Sequence, residues 1–488
     1  MDKWNWQIEN QEYLANAVKR CKEKGILLPT FKQLRDPASI PQSIQDKLAK
    51  IDVNEVHPLN LFRINWRNDI STGKPGAINY VELPSELTGV KARIIGLVGK
   101  YFPTGAHKVG ASFGCLIPYL VTGRFNPDYH KAVWPSTGNY CRGGVFDSAL
   151  LGVHGVAILP EDMSKERFDW LRHMGAEVFA TYGCESNVKE IYDKCHELEA
   201  ESDQYYIFNQ FAQFGNPAWH YAVTGHTIHD LFNQLNDGTL NLHGYVSATG
   251  SAGTIGAGDY LKEQFPHARI IASEALQCPT ILHNGYGAHR IEGIGDKHIP
   301  WIHNVKNTDA AVAINDEHPL HLLRTFNEPA GQEFLAKKGI SAETLKKLPN
   351  LGISSISNAL SAVKYAKYFE LTEKDVVFTI FTDSVDMYQS RLAEMTESFG
   401  AYSTHQAEVD YSSYMLNQST DNFKELNYYD RKAVHNLKYF TWVEQQGKDV
   451  DELNAQWYDE GYWKERLGAA PAWDKQIEEF NAMTGVKI

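Results

Sequence analysis

The chain has 488 residues, enough for roughly two to four domains of ordinary size, and a formal net charge of -13. Such an acidic protein would repel a phosphate backbone, so we expect no nucleic acid among its partners. The N-terminal stretch MDKWNWQIENQEY has no apolar targeting region, and no later run approaches ~18 uninterrupted apolar residues, which predicts a cytoplasmic protein without a membrane span. Six scattered cysteines form no C-x-x-C pair, so neither a metal site nor a disulfide framework is predicted.

Short β-branched or aromatic runs alternate with helical patterns from about residue 131 onward. The first strands are expected in HKAVWPS, GVAILP and AEVFATYG, with helices in NYCRGGVFDSALLG, SKERFDWLRHMG and NVKEIYDKCHELEAE. After a helix in GNPAWHYAVTGHTIHDLFNQL, further strands are expected in GYVSATG, RIIASEA and DVVFTIFTDS. This alternation is typical of βαβ units and predicts two α/β layers, with ligands at the carboxyl ends of parallel strands.

The two ends of the chain look like additions to these layers. The last 95 or so residues are rich in Tyr, Trp and acidic residues, as in DELNAQWYDEGYWKERL. We expect this tail to bury apolar surface against the body of the protein or against a second subunit.

The stretch KYFPTGAHKVGAS places Lys108 in a turn that opens a helix. Gly105 and Gly110 have the spacing of a nucleotide phosphate loop, but Ala111 stands where that motif requires lysine. Apolar flanks on both sides predict that Lys108 lies at the edge of a core rather than in solvent. A partly desolvated lysine has a lowered pKa and an amine suited to Schiff-base chemistry.

A second turn, in GYVSATGSAGTIGAG, joins a strand to a helix. Its backbone amides from Gly250 to Thr254, with the hydroxyls of Ser251 and Thr254, form a cradle for a phosphate. Tight packing of the turn is the plainer explanation of the glycines. A dinucleotide site is a rival hypothesis because Glu274 stands on the next strand, although the turn lacks G-x-G-x-x-G.

Two further turns carry polar side chains. Ser136, Thr137, Gly138 and Asn139 follow the strand in AVWPSTGN, in a geometry suited to a substrate carboxylate or to simple helix capping. Ser384 follows the buried strand of DVVFTIFTDS, where its hydroxyl could face a cleft or cap the next helix.

A lysine, an amide, a phosphate cradle and a hydroxyl together fit one cofactor, pyridoxal 5'-phosphate. Over about residues 77–392 the chain resembles the fold-type II pyridoxal phosphate enzymes, the group of cysteine synthase, cystathionine β-synthase and the tryptophan synthase β chain. The matching stretches are PTGAHK, STGN, QFGNPAWHYAVTG, GSAGT, EGIGDKHIP and TDSVDMY.

The resemblance implies a role for each matched residue. Lys108 would carry the Schiff base and move protons at the substrate α-carbon, and Ser384 would face the pyridine nitrogen. The other implied cofactor contacts are Asn139, Gly250, Ser251, Ala252, Gly253 and Thr254, and the implied substrate contacts are Ser136, Thr137, Gly138 and Gln213.

The resemblance also implies the architecture. It predicts two open parallel-sheet α/β domains of the tryptophan synthase β-like type, with the cofactor in the cleft between them. The expected parts are an N-terminal extension, 1–75; a large domain, 76–122 and 216–392; a smaller mobile domain, 123–215; and a mainly helical C-terminal extension, 393–488. A homodimer is expected.

The implied reaction is β-elimination or β-replacement on a β-substituted amino acid through an aminoacrylate. Alternatives are a dehydratase or ammonia-lyase of hydroxy amino acids, a thiolase subunit, or a degenerate scaffold. Three residues depart from the cysteine synthase pattern. His107 is a core residue or a phosphate contact, Arg142 binds a second acidic group or pairs with a helix carboxylate, and Cys141 is reactive or merely buried.

Overall fold

Two sheets and a small hairpin organise the computed structural model, which describes residues 7–136 and 138–487. The strands are β1 Asn68–Asp69, β2 Lys74–Pro75, β3 Tyr80–Leu83, β4 Arg93–Val98, β5 Lys131–Pro135, β6 Gly155–Pro160, β7 Glu177–Thr181, β8 Tyr205–Ile207, β9 Asn241–Ala248, β10 Arg269–Ala275, β11 Ala310–Ile314, β12 Asp375–Phe381 and β13 Phe423–Glu425.

Helices cover the faces of both sheets and both ends of the chain. They are α1 Gln11–Lys24, α2 Phe31–Arg35, α3 Gln42–Leu48, α4 Ser85–Thr88, α5 Lys108–Val121, α6 Asn139–Leu151, α7 Lys165–His173, α8 Val188–Glu201, α9 Gly215–Trp219, α10 His226–Leu235, α11 Ile255–Gln264, α12 Thr280–His283, α13 Glu317–Asn327, α14 Pro329–Lys337, α15 Ala342–Lys347, α16 Ile353–Tyr368, α17 Gln389–Phe399, α18 Thr404–Asp410, α19 Tyr428–Lys438, α20 Val450–Tyr458, α21 Tyr462–Leu467 and α22 Ala470–Thr484.

The larger sheet has the strand order β13-β11-β10-β9-β12-β4-β3, and the smaller has the order β7-β6-β5-β8. All pairs in the smaller sheet are parallel, as are the five central strands of the larger one, while its edge strands β3 and β13 are antiparallel to their neighbours. The central strands are apolar along nearly their whole length because helices cover both faces. The predicted α/β class with two parallel sheets is confirmed.

The smaller sheet is built from one continuous stretch of chain, whereas the larger sheet takes strands from both sides of that stretch. Strand β13 lies in the predicted C-terminal extension and still joins the larger sheet, pairing with β11 from Val312 to Ala310. The extension is therefore integrated with the body at the sheet edge, and not only through its helices.

Helix α5 brings the lysine turn into the centre of the molecule. Nearly all of its side chains are buried, so it packs on every face. A Cβ built on Gly114 would lie 2.3 Å from the carbonyl oxygen of Gly215, which shows that α5 and α9 approach through two glycines. This close packing fixes the first turn of α5 against the helix that follows β8.

The two chain ends pack on each other beside α5. The rings of Phe31 and Trp473 lie 5.1 Å apart, and Asp474 accepts hydrogen bonds from the amides of Phe31 and Lys32. Other aromatic residues of the tail, among them Trp442 and Tyr462, are buried against the segment after β8. The tail thus buries its apolar surface against the body. Within the described ranges, no helix is both long and apolar enough to cross a bilayer.

Candidate active site

The amine of Lys108 meets the glycine turn that follows β9. Lys108 is the first residue of α5, and its Nζ donates to the hydroxyl of Ser251 over 2.8 Å. The carboxamide Oε1 of Gln210 lies 3.5 Å from the same nitrogen. Burial lowers the pKa of Lys108 to about 8, so a substantial fraction of the amine is neutral near physiological pH. The two sequence stretches are therefore brought into direct contact.

The glycine turn presents unused donors beside that amine. Among the described residues, the amides of Gly250, Ser251, Ala252 and Thr254 donate to no backbone carbonyl, and α11 begins directly behind them. Ala252 has a φ of 60°, in the left-handed region that only a few non-glycine residues adopt. Free amides in a strained turn at a helix N-terminus form an anion cradle.

Gly253 is required by a close neighbour of the turn. A Cβ built on it would lie 2.0 Å from Oδ1 of Asn216, so no other residue fits without displacement. Asn216 in turn donates to the Ser251 hydroxyl over 3.0 Å and to the carbonyl of Gln210 over 3.0 Å. One amide side chain thus ties the glycine turn to the segment that carries Gln210.

The turn after β5 reaches the same region from the smaller sheet. Ser136 accepts a hydrogen bond from the amide of Gly138 over 2.9 Å, and Asn139 opens α6. The amide Nδ2 of Asn139 donates to Asp383 over 2.7 Å, while its Oδ1 is buried without a partner among the described residues. The predicted contact Thr137 lies outside the described residues.

Asp383 and Ser384 follow β12 at its carboxyl end. Both are buried, and Asp383 also accepts a hydrogen bond from the Tyr388 hydroxyl over 2.8 Å. The hydroxyl of Ser384 contacts Asp386 and caps the short helical turn Val385–Met387. Of the two roles expected for Ser384, facing a cleft or capping the next helix, the structure shows the capping contact.

A buried arginine joins the two sheets beneath these turns. Arg167 on α7 forms an ion pair with Glu292, donates to the Tyr388 hydroxyl over 3.2 Å, and lies 3.6 Å from Asp383. A Cβ built on Gly138 would lie 2.4 Å from its Nε. The guanidinium therefore packs directly against the turn after β5, and nothing in the sequence pattern had singled it out.

Comparisons with known proteins agree with this geometry. The family model described as pyridoxal-phosphate dependent enzyme matches residues 100–331. Cystathionine beta-synthase of Saccharomyces cerevisiae is 27% identical over 333 residues, which cover 66% of this chain and 62% of the relative. Cysteine synthase of Staphylococcus aureus is 29% identical over 259 residues, which cover 53% of this chain and 75% of the relative. A hydrogen sulfide-producing enzyme from Fusobacterium nucleatum aligns with a TM-score of 0.54 at 25% identity, covering 68% of this chain and 92% of that structure.

The chain is thus similar to the fold-type II pyridoxal-phosphate-dependent enzymes. It spans less than two thirds of the yeast relative it matches.

The residues present fit the cofactor of this family. The partly buried amine of Lys108, with its lowered pKa, lies 2.8 Å from a hydroxyl of the turn that offers free amides. Asn139 donates to Asp383 through Nδ2, and its Oδ1 has no partner among the described residues. The buried Ser384 directly follows Asp383. This donor set suits a phosphorylated pyridine aldehyde, with amides for its phosphate and polar side chains for its ring. Within residues 7–136 and 138–487, no cluster of three potential metal ligands occurs.

The dinucleotide hypothesis depends on Glu274, but the carboxyl group of this residue is engaged elsewhere in the fold. Glu274 accepts hydrogen bonds from the amides of Ile281 and Leu282, over 2.9 and 2.8 Å, and so caps α12. Burial raises the pKa of Glu274 to about 8. A protonated carboxyl with its acceptors in use is a poor ligand for a ribose hydroxyl pair.

Two glutamines stand three positions apart after β8 and face different surroundings. Gln210 lies by the Lys108 amine, whereas Gln213, the predicted substrate contact, lines a cavity of about 270 Å³ together with Tyr192, Trp301 and Arg466. Its Oε1 is buried without a partner in the described structure. The role of Gln213 stays a prediction, and Gln210 is an additional candidate because its carboxamide lies near the Lys108 amine.

The three residues that depart from the cysteine synthase pattern are all buried. His107 stacks on Trp66 with ring centroids 5.6 Å apart, and burial lowers its pKa well below the usual value. The guanidinium of Arg142 lies over the ring of Trp170 at 4.7 Å, and burial lowers its pKa to about 10. Burial raises the pKa of Cys141 to about 12, so its thiol is unreactive near neutral pH.

Sequence reasoning also gave no role to two acids near the lysine. Asp296, in the matched stretch EGIGDKHIP, and Glu185, after β7, are each about 97–99% buried. Both carboxylates help to keep the Lys108 amine charged, against the larger effect of burial, which lowers its pKa. Their proximity arises from three separate elements meeting, which a linear pattern does not reveal.

Proposed function

We propose that this protein catalyses pyridoxal phosphate-dependent β-elimination or β-replacement on an amino acid with a leaving group at its β-carbon. The observation that carries the proposal is the partly buried Lys108 amine, 2.8 Å from Ser251 in a turn of free amides. The relatives named above are a cystathionine β-synthase, a cysteine synthase and a hydrogen sulfide-producing enzyme, which share this chemistry. The substrate class, an amino acid with a leaving group at its β-carbon, is likewise proposed.

We assign each cofactor contact to a residue of the site. The amides from Gly250 to Thr254 would hold the phosphate, Ser384 the ring nitrogen, Asn139 the ring oxygen, and Lys108 the aldehyde carbon. When bound, the cofactor draws electron density away from the substrate α-carbon. A serine at the ring nitrogen donates a hydrogen bond without enforcing full protonation, which favours loss of a β-substituent over transamination.

Lys108 would transfer the proton of the α-carbon. Its pKa of about 8 gives a base that is partly neutral at pH 7 and, once protonated, a competent acid. A substrate carboxylate would bind the turn from Ser136 to Gly138, with Thr137 and Gln213 as further contacts. The amides at the start of α6 suit an anion there.

The proposal extends to the whole molecule. The smaller domain, 123–215, would move relative to the larger domain as substrate binds. The protein would act as a cytoplasmic homodimer, which gel filtration with light scattering would test.

A substrate panel tests the proposed function. The purified protein, supplied with cofactor, should show the visible absorption of a lysine-bound conjugated aldehyde and should release pyruvate or a replacement product from β-chloro-L-alanine, O-acetyl-L-serine, L-serine or L-cysteine. Lys108→Ala should lose the absorption and the activity while its circular dichroism and unfolding midpoint stay close to wild type. Absorption that persists in the Lys108→Ala variant would refute the lysine assignment.

A further inference from the structure

The lysine amine shares its surroundings with two buried carboxyl groups. Asp296 lies in the loop between α12 and β11, and Glu185 lies in the loop between β7 and α8. Each of these acids is among the charges that act on Lys108, and both the lysine and Glu185 act on Asp296. The start of α5 and these two loops thus carry three titratable groups that influence one another electrostatically.

The backbone around Asp296 is held firmly against the glycine turn. A Cβ built on Gly250 would lie 2.8 Å from the carbonyl oxygen of Gly293, so the loop touches the anion cradle. The carbonyl of Asp296 accepts a hydrogen bond from Thr280 over 2.7 Å, and that of Gly295 contacts His289 over 2.7 Å. These bonds hold the backbone of the loop, and the carboxyl group of Asp296 takes part in neither of them.

One oxygen of the buried Asp296 carboxyl lacks a partner among the described residues. The residue is 3% exposed, and the oxygen in question is Oδ2. Burial raises the pKa of Asp296 well above the usual value, Glu185 raises it further, and Lys108 lowers it. A buried carboxyl oxygen without a partner costs free energy, which favours an explanation in terms of function.

The Glu185 loop is anchored to the same region. Ser186 donates to the carbonyl of Gly287 over 2.7 Å, which ties the loop after β7 to the segment that leads to Asp296. The two carboxyl groups therefore stay close in this arrangement of the sheets. Two neighbouring buried acids favour one shared proton, because both cannot ionise cheaply.

We infer that Asp296, supported by Glu185, is a second acid–base group of this site, which protonates poor leaving groups such as hydroxide or a thiolate at the substrate β-carbon. The inference rests on the proposed function and deepens it. It assigns the enzyme to amino acids with a β-hydroxyl or β-thiol, rather than only to substrates whose leaving group is already a stable anion.

The proton transfers balance in such a reaction. The Cα–H bond breaks and its proton goes to Nζ of Lys108, while the Cβ–X bond breaks with its electron pair on X. Asp296 gives its proton to X, and HX departs. An incoming nucleophile NuH then bonds to Cβ and gives its proton to Asp296, and Lys108 returns a proton to Cα. The sum is exchange of X for Nu with release of HX.

The rate contribution of this second acid depends on the basicity of the leaving group. Water has a pKa of about 15.7, so hydroxide leaves only with a proton supplied. A thiol has a pKa of about 8.5, so thiolate is an intermediate case. Chloride needs no proton. General acid catalysis contributes about 10²- to 10⁴-fold where it is needed.

The test compares leaving groups on Asp296→Asn, an isosteric change that removes the transferable proton. With cofactor bound, we expect kcat/KM for L-serine to fall about 10²- to 10⁴-fold, that for L-cysteine to fall less, and that for β-chloro-L-alanine to stay close to wild type. Visible absorption and exchange of the Cα hydrogen in D₂O should persist, since both depend on Lys108. Lys297→Gln, an exposed change in the same loop, should leave all values unaltered.

Each result decides the matter. Equal loss on all substrates with absorption retained would overturn the inference while leaving the proposed function intact. A wild-type protein inactive on every substrate, β-chloro-L-alanine included, would overturn both.

A second measurement needs no variant, in case Asp296→Asn fails to fold. In the wild-type protein, kcat for L-serine should decline as pH rises through the pKa of the acid, and kcat for β-chloro-L-alanine should lack that decline. Among the described residues, the titratable groups that interact electrostatically with Asp296 are Lys108, Glu185, Tyr192 and Cys278. Identical pH profiles for the two substrates would refute the assignment.

Discussion

Asn139 donates from Nδ2 to the carboxylate of Asp383 over 2.7 Å, and this bond joins the start of α6 to the end of β12. Both residues are buried. Asp383 also receives the Tyr388 hydroxyl and lies near Arg167, so its charge is well compensated although burial raises its pKa. The smaller and larger sheets therefore meet through a charge-assisted hydrogen bond at the proposed cofactor site.

Replacing Asn139 tests that bond. Asn139→Ala should lower the free energy of unfolding by about 1.5–3 kcal/mol, the range for a hydrogen bond to a charged group. Asn139→Asp should cost more, because it brings a second carboxyl against Asp383 in a buried position. Urea unfolding of the cofactor-bound protein measures both changes.

A matched control uses an exposed pair of the same type. Asn241 donates to Asp375 over 3.1 Å at the surface, and Asn241→Ala should alter stability by less than ~0.5 kcal/mol. Equal effects at the two sites would contradict a special role for the buried bond.

The pKa of Lys108 predicts how fast the cofactor attaches. Only the neutral amine attacks an aldehyde, and burial lowers the pKa of Lys108 from its usual value to about 8. The rate of cofactor uptake by the cofactor-free protein should rise with pH, with a midpoint near 8, and then level off. Stopped-flow absorption at a series of pH values gives the profile.

An exposed lysine would give a different profile, because its pKa is about 10.4. A rate that still climbs steeply above pH 9 would show that Lys108 is not desolvated in solution. After borohydride reduction, intact mass should increase for the wild type and not for Lys108→Ala.

Arg167 is expected to hold the two sheets together. Its side chain is 1% exposed and pairs with Glu292, which also binds Arg391. Arg167→Met should lower the free energy of unfolding by about 3–5 kcal/mol, because it leaves buried carboxylates with less compensation. It should also weaken cofactor binding, since the turn after β5 packs on this guanidinium.

Arg172 on the same helix is the matched control. Its side chain is 64% exposed and lies 3.8 Å from Asp169, so Arg172→Met should cost less than ~1 kcal/mol. Urea midpoints of the two variants, each with and without cofactor, separate a general effect on α7 from a specific one.

Local sequence patterns predicted much of the fold because the burial of a strand or helix determines which of its residues are apolar. RIIASEA and DVVFTIFTDS predicted β10 and β12, since buried parallel strands must be apolar throughout. Strand β13 was missed because a three-residue edge strand in FKE carries no periodicity, and its partner β11 lies more than a hundred positions away. Pairing of that kind depends on tertiary packing.

In the candidate site, too, local sequence patterns predicted some residues, whereas others depend on tertiary packing. The turns of Lys108 and Gly250 could be predicted because lysine, glycine and hydroxyl residues at a helix start have few other uses together. Arg167, Asp296 and Gln210 could not, because their significance lies in what other elements bring to them. Asp296 even stood within a matched stretch, yet its position near Lys108 depends on how two loops meet the start of α5.

Gly253 should prove indispensable for cofactor binding. A Cβ at this position would lie 2.0 Å from Oδ1 of Asn216, so Gly253→Ala must displace the turn or the asparagine. Overpacking of this kind costs about 1–3 kcal/mol. If the cost falls on the cofactor-bound form, Kd rises by about 5- to 150-fold, which fluorescence titration of the cofactor-free protein would measure.

Two further variants show whether the clash itself is responsible. Gly461→Ala introduces a methyl group at a site where the nearest atom is 3.4 Å away, and it should leave Kd unchanged. Asn216→Ala alone should weaken binding, because it removes the bond to Ser251. The double variant Asn216→Ala with Gly253→Ala should lose less than the sum of the single losses, since the methyl group then has room. Strict additivity would show that the two residues do not contact each other in solution.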